Sequence, residues 1–391
     1  MNLTHEHLTD ALAPVLDAAR AAAPDVDADS RFPHEAVTAL RESGLLGLTL
    51  PADIGGMGGG PVEAARALAE VASVCGSTAM VYLMHLSAAM TTAAAAPPGH
   101  PKLLEELADG TTLGTLAFSE PGSRSHFWAP TSQARPASSG DPGKGGTNAV
   151  TLDAKKSFVT SAGHADVYVV STLATGDAGA ASPAVDLYAV PGGRDGVTVA
   201  GAWRGLGLRG NASAPMTFQL DVTDDDRIGA PGGGFQLMLD AVMPWFNLGN
   251  AAVSAGLSQA AVGAAVTHAS GSTLEHTGQS LAQLPTIRAQ LAKMSLDVAA
   301  ARSYIDLTAR SLAAPGDETM LHVLGVKAFA NDTALRVTDA AMRVCGGAAF
   351  SNRLQLERFF RDARAGHVMA PTADVLYDFY GKAITGQPVF G

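Results

Sequence analysis

What most restricts the fold of this 391-residue chain is the order in which its hydrophobic rhythm changes. From Leu8 to about Asp109, Ala and Leu recur at three- and four-residue spacing. Breaks fall at Pro33, at Pro51 and in the glycine cluster at 55–60, a pattern that predicts an all-helical unit. Near Thr111 the texture turns to short runs rich in Val, Thr, Phe and Tyr: Asn148 to Ala162, Val167 to Leu173, Ala184 to Pro191 and Pro215 to Val222. Gly, Pro, Asp and Ser separate these runs, which predicts an all-β unit. The stretch SGDPGKGG at 139–146 reads as a surface hairpin loop of that unit. Past the glycines at 232–234 the helical period returns and lasts to the end. Leu291, Val298, Ile305 and Leu312 recur every seven residues with Met294 and Ala301 between them, a stripe that must pack on other helices. Four such segments, at 235–268, 284–313, 318–345 and 367–384, predict a helix bundle. The expected fold class is therefore α+β. It has a helical domain over 1–112, a β-barrel-like or sandwich domain over 113–230, and a four-helix bundle over 231–391.

Several function classes fall away. The formal charge of −11 is spread without basic blocks, so the positive footprint that nucleic acid requires is missing. Cys75 and Cys345 match no zinc or redox spacing and suit a reducing compartment, and eleven scattered histidines predict no metal site. A literal GxGxxG at Gly205, Gly207 and Gly210 precedes the strand-like run Asn211 to Val222. A dinucleotide fingerprint would have to open a helix there. Neither GxSxG nor HExxH occurs. The N-terminus lacks a basic segment followed by an apolar core, and Pro97 and Pro98 interrupt the Ala93–Ala96 run well short of membrane length. The expectation is a cytoplasmic protein with no membrane partner.

Five phrases in fixed order carry more information: Leu40 to Gly60; Leu116 to Ser125 (LAFSEPGSRS); Lys156 to Val170 (KSFVTSAGHADVYVV); Gly207 to Phe218 with Gly232 to Phe235; and Arg343 to Thr372, which contains CGGAAF and LERFFRDAR. Together they resemble the acyl-CoA dehydrogenase family over nearly the whole chain. The resemblance implies that family's fold, an FAD cofactor (with FMN as the variant), and a homodimer or homotetramer whose FAD spans the junction. It also implies a CoA or carrier-protein thioester as substrate, and an electron-transfer flavoprotein or flavin reductase as partner. It places Phe118, Ser119, Ser125, Phe158, Thr160, Arg343, Gly346, Gly347 and Thr372 at the cofactor. The residues themselves permit this, because a flavin is a flat apolar ring with a polar rim. Phe158 could stack on it and Thr160 could hydrogen-bond its edge. The alternatives stay open: Phe158 as an ordinary inward strand residue, the serines as turn formers, and Gly346 and Gly347 as a helix C-cap.

The pattern is broken where the family's chemistry is done. Dehydrogenation next to a thioester carbonyl needs a carboxylate base. The resemblance places it eight residues beyond Asp362, at Ala370, or in a minority of members at Phe246. Neither can accept a proton. The Arg and Phe expected to reach a neighbouring subunit's flavin diphosphate fall at Leu274 and Thr277, and Gly278 alone survives. Flavin monooxygenases of the same fold usually carry a His where Met369 stands, with His126 and His367 as nearby proton-handling candidates. The readings are an FAD-dependent oxidoreductase acting on an acyl thioester or small carbonyl compound, a flavin-dependent monooxygenase or hydroxylase, or a non-redox homologue that binds an acyl group or flavin.

Overall fold

The computed structural model describes residues 3–137, 149–176 and 184–390, so the expected hairpin loop at 139–146 lies outside the described residues. The N-terminal part is helical: α1 (His5–Ala28), α2 (His34–Glu42), α3 (Pro61–Ala72), α4 (Gly76–Ala94) and α5 (Leu103–Ala108). Local chemistry sets where these helices begin. Thr4 accepts the His7 N–H at the start of α1, and Glu63 reaches back to the Gly60 N–H (2.8 Å) ahead of Pro61, the first residue of α3. Helix α4 carries no charged side chain and is buried on nearly every side. It threads between the sheets and the bundle.

The middle of the chain holds β1 (Gly114–Ala117), β2 (Arg135–Pro136), β3 (Val150–Val159), β4 (Val167–Leu173), β5 (Val185–Pro191), β6 (Val197–Val199), β7 (Ala214–Val222) and β8 (Arg227–Ile228). They form two four-stranded sheets, ordered β1-β4-β5-β8 and β2-β3-β7-β6, with an apolar layer of Leu152, Ala154, Tyr168, Val170, Tyr188 and Phe218 between them. The strand expected to begin at Asn211 starts at Ala214 instead. Leu208 and Ala212 sit in left-handed backbone (φ 50° and 49°), which no strand accommodates. The glycines of the GxGxxG string are packing devices: a Cβ on Gly207 would lie 2.5 Å from the Arg361 backbone, and one on Gly210 2.6 Å from the Arg31 carbonyl.

One irregularity in β3 matters most. Val150, Leu152, Ala154 and Lys156 point inward by strict alternation, which would carry Phe158 inward too. The register against β7 slips between Lys156 and Val159, so Val159 turns in and Phe158 turns out, 66% exposed.

After α6 (Gly234–Leu237) and a π-helical turn at 238–242, the bundle is built from α7 (Met243–Gly271), the small hairpin β9 (Thr273–Leu274) and β10 (Gln279–Ser280), α8 (Pro285–Ala313), α9 (Thr319–Cys345), α10 (Leu356–Val368) and α11 (Ala373–Ile384). The expected fourth segment at 367–384 is in fact the last residues of α10, an elbow, and α11. Pro371 has no N–H to continue a helix and forces Ala370 out of helical backbone. The stripe on α8 is inward as expected at Met294, Val298, Ala301 and Ile305.

Candidate active site

The outward edge of the β unit, α4, the start of α7 and the α10–α11 elbow enclose a cavity of about 690 Å³. On the sheet side stand Phe118, Ser119, Ser157, Phe158, Thr160 and Trp203; on the helical side stand Met80, Met84, Phe246, Val368, Met369 and Ala370. The space is predominantly apolar with a few polar groups, hydroxyls on the sheet side and Arg361 and Arg364 on the helical side, the composition of a site for a small ligand. Phe158 meets Trp203 edge to face at 6.3 Å, and the indole is fixed by its Nε1–H donating to the Leu208 carbonyl (2.9 Å). Thr160 is buried, with its Oγ1 2.9 Å from Ser213 Oγ and its carbonyl accepting from Thr115 Oγ1 (2.9 Å).

Among the described lining residues the sole carboxylate is Glu120, and it is fully engaged. Lys156 Nζ pairs with its Oε1 inside the protein and donates to the Ser171 carbonyl (2.6 Å). Thr131 N–H and Oγ1 and Ser132 N–H donate to Oε2, and Ser132 Oγ donates to Oε1, all at 2.6–2.7 Å. Desolvation pushes the Glu120 carboxyl up, but the ammonium and these donors prevail and hold it below its ordinary value. Burial pulls the Lys156 ammonium down to about 8 against the attraction of Glu120. A carboxylate so paired is a poor proton acceptor.

Two more buried charges shape the helical wall. Lys327 on α9 donates to the carbonyls of Gly366 (3.0 Å), Met369 (3.1 Å) and Pro371 (2.8 Å), tying down the elbow that carries Val368, Met369 and Ala370. Asp362 accepts the Leu208 N–H at 2.6 Å, and burial raises it to about 6. It anchors the loop bearing Trp203 and Leu208 to α10.

The cavity gathers Phe118, Ser119, Phe158 and Thr160, together with Ala370, Phe246 and Met369. Ser125 and Thr372 meet each other at 3.2 Å but do not line it. Arg343, Gly346 and Gly347 are not brought to it either. They lie 16 or more residues beyond Lys327 on and past α9, roughly 24 Å along the axis, so one chain does not bring them to the cavity that Ser119, Phe158 and Thr160 line. Arg343 pairs with Asp339 (3.2 Å), and Gly346 ends α9 at φ 56°, the C-cap alternative. Neither candidate histidine lines the cavity. His126 packs on Trp128 with ring centroids 5.2 Å apart, and His367 Nδ1 lies 3.2 Å from Asp332 Oδ1. Leu274, Thr277 and Gly278 form the β9–β10 hairpin. Sequence reasoning missed Trp203, the Glu120–Lys156 pair and Lys327. A lysine between apolar neighbours in LGVKAFA was the one visible signal for the last.

Helical layer, β-sandwich and bundle stand around one ligand-sized cavity with an aromatic ring on its sheet side and mainly apolar side chains on its helical side. Three family models cover the chain: the acyl-CoA dehydrogenase N-terminal domain over residues 4–111, the middle domain over 115–220 and the C-terminal domain over 232–385. This chain belongs to the acyl-CoA dehydrogenase family, whose members are flavoprotein oxidoreductases. Cyclohex-1-ene-1-carbonyl-CoA dehydrogenase of Geobacter metallireducens is 28% identical over 393 residues, covering 97% of this chain and 99% of that protein. Butyryl-CoA dehydrogenase from Megasphaera elsdenii superposes with a TM-score of 0.88 at 23% identity over 98% of this chain and 99% of its own. FMN-bound TdsC from Paenibacillus sp. A11-2 superposes at 0.86 with 21% identity over 99% of each chain.

Proposed function

We propose that this chain is a flavin-dependent oxidoreductase acting on a small apolar carbonyl compound, an acyl thioester foremost, by a route in which no protein carboxylate removes a proton. Oxygenation fits that condition better than dehydrogenation beside the carbonyl. The observation that carries this reading is the cavity wall itself: Ala370 and Phe246 line it where the base is expected, and Glu120 is consumed by Lys156 and four hydrogen bonds.

The residues present fit a flavin. Phe158 offers an uncovered aromatic face at the cavity, while Ser119 and Thr160 supply hydroxyls beside it. A flavin bound there supplies a two-electron couple and, when reduced, the activation of dioxygen. Met80, Met84 and Phe246 exclude water from the substrate side, and Lys327 holds the elbow so that Met369 and Ala370 keep that wall apolar. FAD is the expected form, with FMN as the variant, and a partner reductase is the natural source of electrons. Exposed Leu296, Phe350 and Ile384 on the bundle support a homodimer or homotetramer, which would bring Arg343, Gly346 and Gly347 of one chain to another. No helix among the described residues is long and apolar enough to cross a membrane. The two buried free cysteines suit a reducing compartment and support a cytoplasmic location.

The test uses purified protein carrying flavin. A panel of saturated acyl-CoA esters added without oxygen should leave the visible spectrum unbleached, whereas chemically reduced enzyme given oxygen and substrate should consume oxygen with a substrate-dependent product. Bleaching by a saturated thioester would refute the oxygenation reading. A protein that neither holds nor accepts flavin would end both oxidative readings.

A further inference from the structure

We infer that Lys327 is an electrostatic residue of the cavity: a buried ammonium without a counter-ion, one side-chain layer behind the wall, that favours negative charge on the molecule bound there. The inference rests on the cavity being the ligand site proposed above.

Lys327 is fully buried, and the three carbonyls of the elbow that receive its N–H groups bring no net charge to it. One of them belongs to Met369, which lines the cavity, and Nζ stands 6.0 Å from the centre of the Phe246 ring, which lines it too. Other buried cations are compensated. Lys156 has Glu120, Arg227 has Asp186 and Asp224, and Arg358 acts on the Asp362 carboxyl. Lys327 has no such partner among the described residues. Helix α7 carries no Asp, Glu, Lys or Arg at all. On α9 itself, Asp332 is taken by His367 of α10 and by the Tyr377 hydroxyl of α11. On α11, Asp378 pairs with Lys382 and Asp374 is exposed, while on α8 Asp297 reaches Arg336 and Asp306 pairs with Arg310. Burial alone pulls the ammonium down to about 7, with no carboxylate to hold it up. Arg364 also lines the cavity, but it is only partly buried and water screens its charge.

A unit charge behind an apolar wall acts on the cavity far more strongly than it would through water. Its sign favours the reduced, anionic form of a bound flavin and negative charge on a carbonyl oxygen. The same ammonium also caps α10, since Gly366 lies in the last turn of that helix and Met369 is its C-cap. Capping needs only the hydrogen bonds, whereas the electrostatic role needs the charge, so the two roles part under substitution.

The full-length protein is compared with Lys327→Gln, which keeps an N–H donor for the elbow, and Lys327→Met, which keeps only the length. The midpoint potential of bound flavin, measured against a reference dye, should fall in both variants. The expected shift is roughly tenfold in the reduction equilibrium, the effect of a unit charge about 10 Å away at an effective dielectric near 20, or about 30 mV for a two-electron couple. 4-Nitrophenol bound in the flavin-free cavity gives a second reading: its phenolate band should appear at a pH about one unit higher in both variants than in wild type. A change confined to Lys327→Met, with Lys327→Gln like wild type, shows that the lysine acts only through its hydrogen bonds and overturns the inference, as does no shift in either. If neither variant folds, wild type decides. Coupling between two sites is reciprocal, so bound 4-nitrophenolate must raise the pH at which Lys327, followed by NMR of lysine-labelled protein, loses its proton; no rise overturns the inference. If the nitrophenol readings hold in a protein that takes no flavin, the charge stands and the oxidoreductase reading falls. A cavity that binds neither molecule overturns both.

Discussion

Replacing Lys156 with Met removes the buried cation that pairs with Glu120 behind the cavity wall and isolates a buried carboxylate. In the native protein both side chains are essentially sealed from water, 0% and 1% exposed, and the Glu120 oxygens accept four further hydrogen bonds from Thr131 and Ser132. Those neutral donors remain in Lys156→Met, but the opposite charge does not. Stranding one member of such a pair costs about 3–5 kcal/mol. Because Glu120 is held below the ordinary carboxyl value, its contribution is complete above about pH 4.5 and is lost as acid carries the pH down through its folded value. The measurement is guanidinium unfolding at pH 7, followed by circular dichroism, of wild type, Lys156→Met, Glu120→Gln and the double variant. Lys156→Met should lose about 3–5 kcal/mol, and the cycle should show coupling on the order of 2 kcal/mol. The variant should also raise the Glu120 carboxyl, because desolvation is then opposed by neutral donors alone, and this would appear as a new pH dependence in the spectrum of bound flavin. Additive effects, or a Lys156→Met protein within about 1 kcal/mol of wild type, would show that the carboxylate is not held by this cation and that Glu120 must be reconsidered as a proton acceptor.

Ala370→Glu should install the missing base, since a positioned general base is worth about 10²–10⁴ in rate. Anaerobic bleaching by a saturated acyl-CoA, absent in wild type, is the readout, and continued silence in a variant that still binds flavin counts against the substrate class. Asp362 is raised to about 6, so between pH 4 and 6 the folded chain binds a proton that the unfolded chain has released, and its contribution falls as pH rises across that window. Asp362→Asn keeps an acceptor for the Leu208 N–H and should flatten melting temperature against pH there, with a gain of up to about 3 kcal/mol above pH 6; a loss of stability at pH 8 contradicts this. Phe158→Ala should weaken flavin binding by about 0.5–1.5 kcal/mol while leaving the melting temperature of the flavin-free protein unchanged, because the ring is mostly exposed. A drop in that melting temperature would mean that Phe158 is a structural residue.

The sequence by itself determined the order of helices, sheets and bundle, because hydrophobic period reports local backbone and one-sided burial. Strand β4 falls at Val167–Leu173, where its run of Val and Tyr placed it, and the α8 stripe is buried at Val298 and Ile305 and partly buried at its end members Leu291 and Leu312. That Ala370 and Phe246 themselves cannot act as bases was equally legible, since residue type alone settles that methyl and phenyl groups accept no proton. Tertiary structure decided which residues converge. Alternation along β3 would have put Phe158 in the core, and only its slip against β7, 55 or more residues away, turns the ring to the cavity. Glu120 and Lys156 are ordinary surface residue types until the loop after β1 and strand β3 bring them together out of water. Arg343, Gly346 and Gly347 share a phrase with the elbow, yet the length of α9 carries them away from the cavity. Periodicity encodes what each residue does to its own backbone and face, whereas a site is made by contacts between segments far apart in the chain, and those are fixed only when the layers pack.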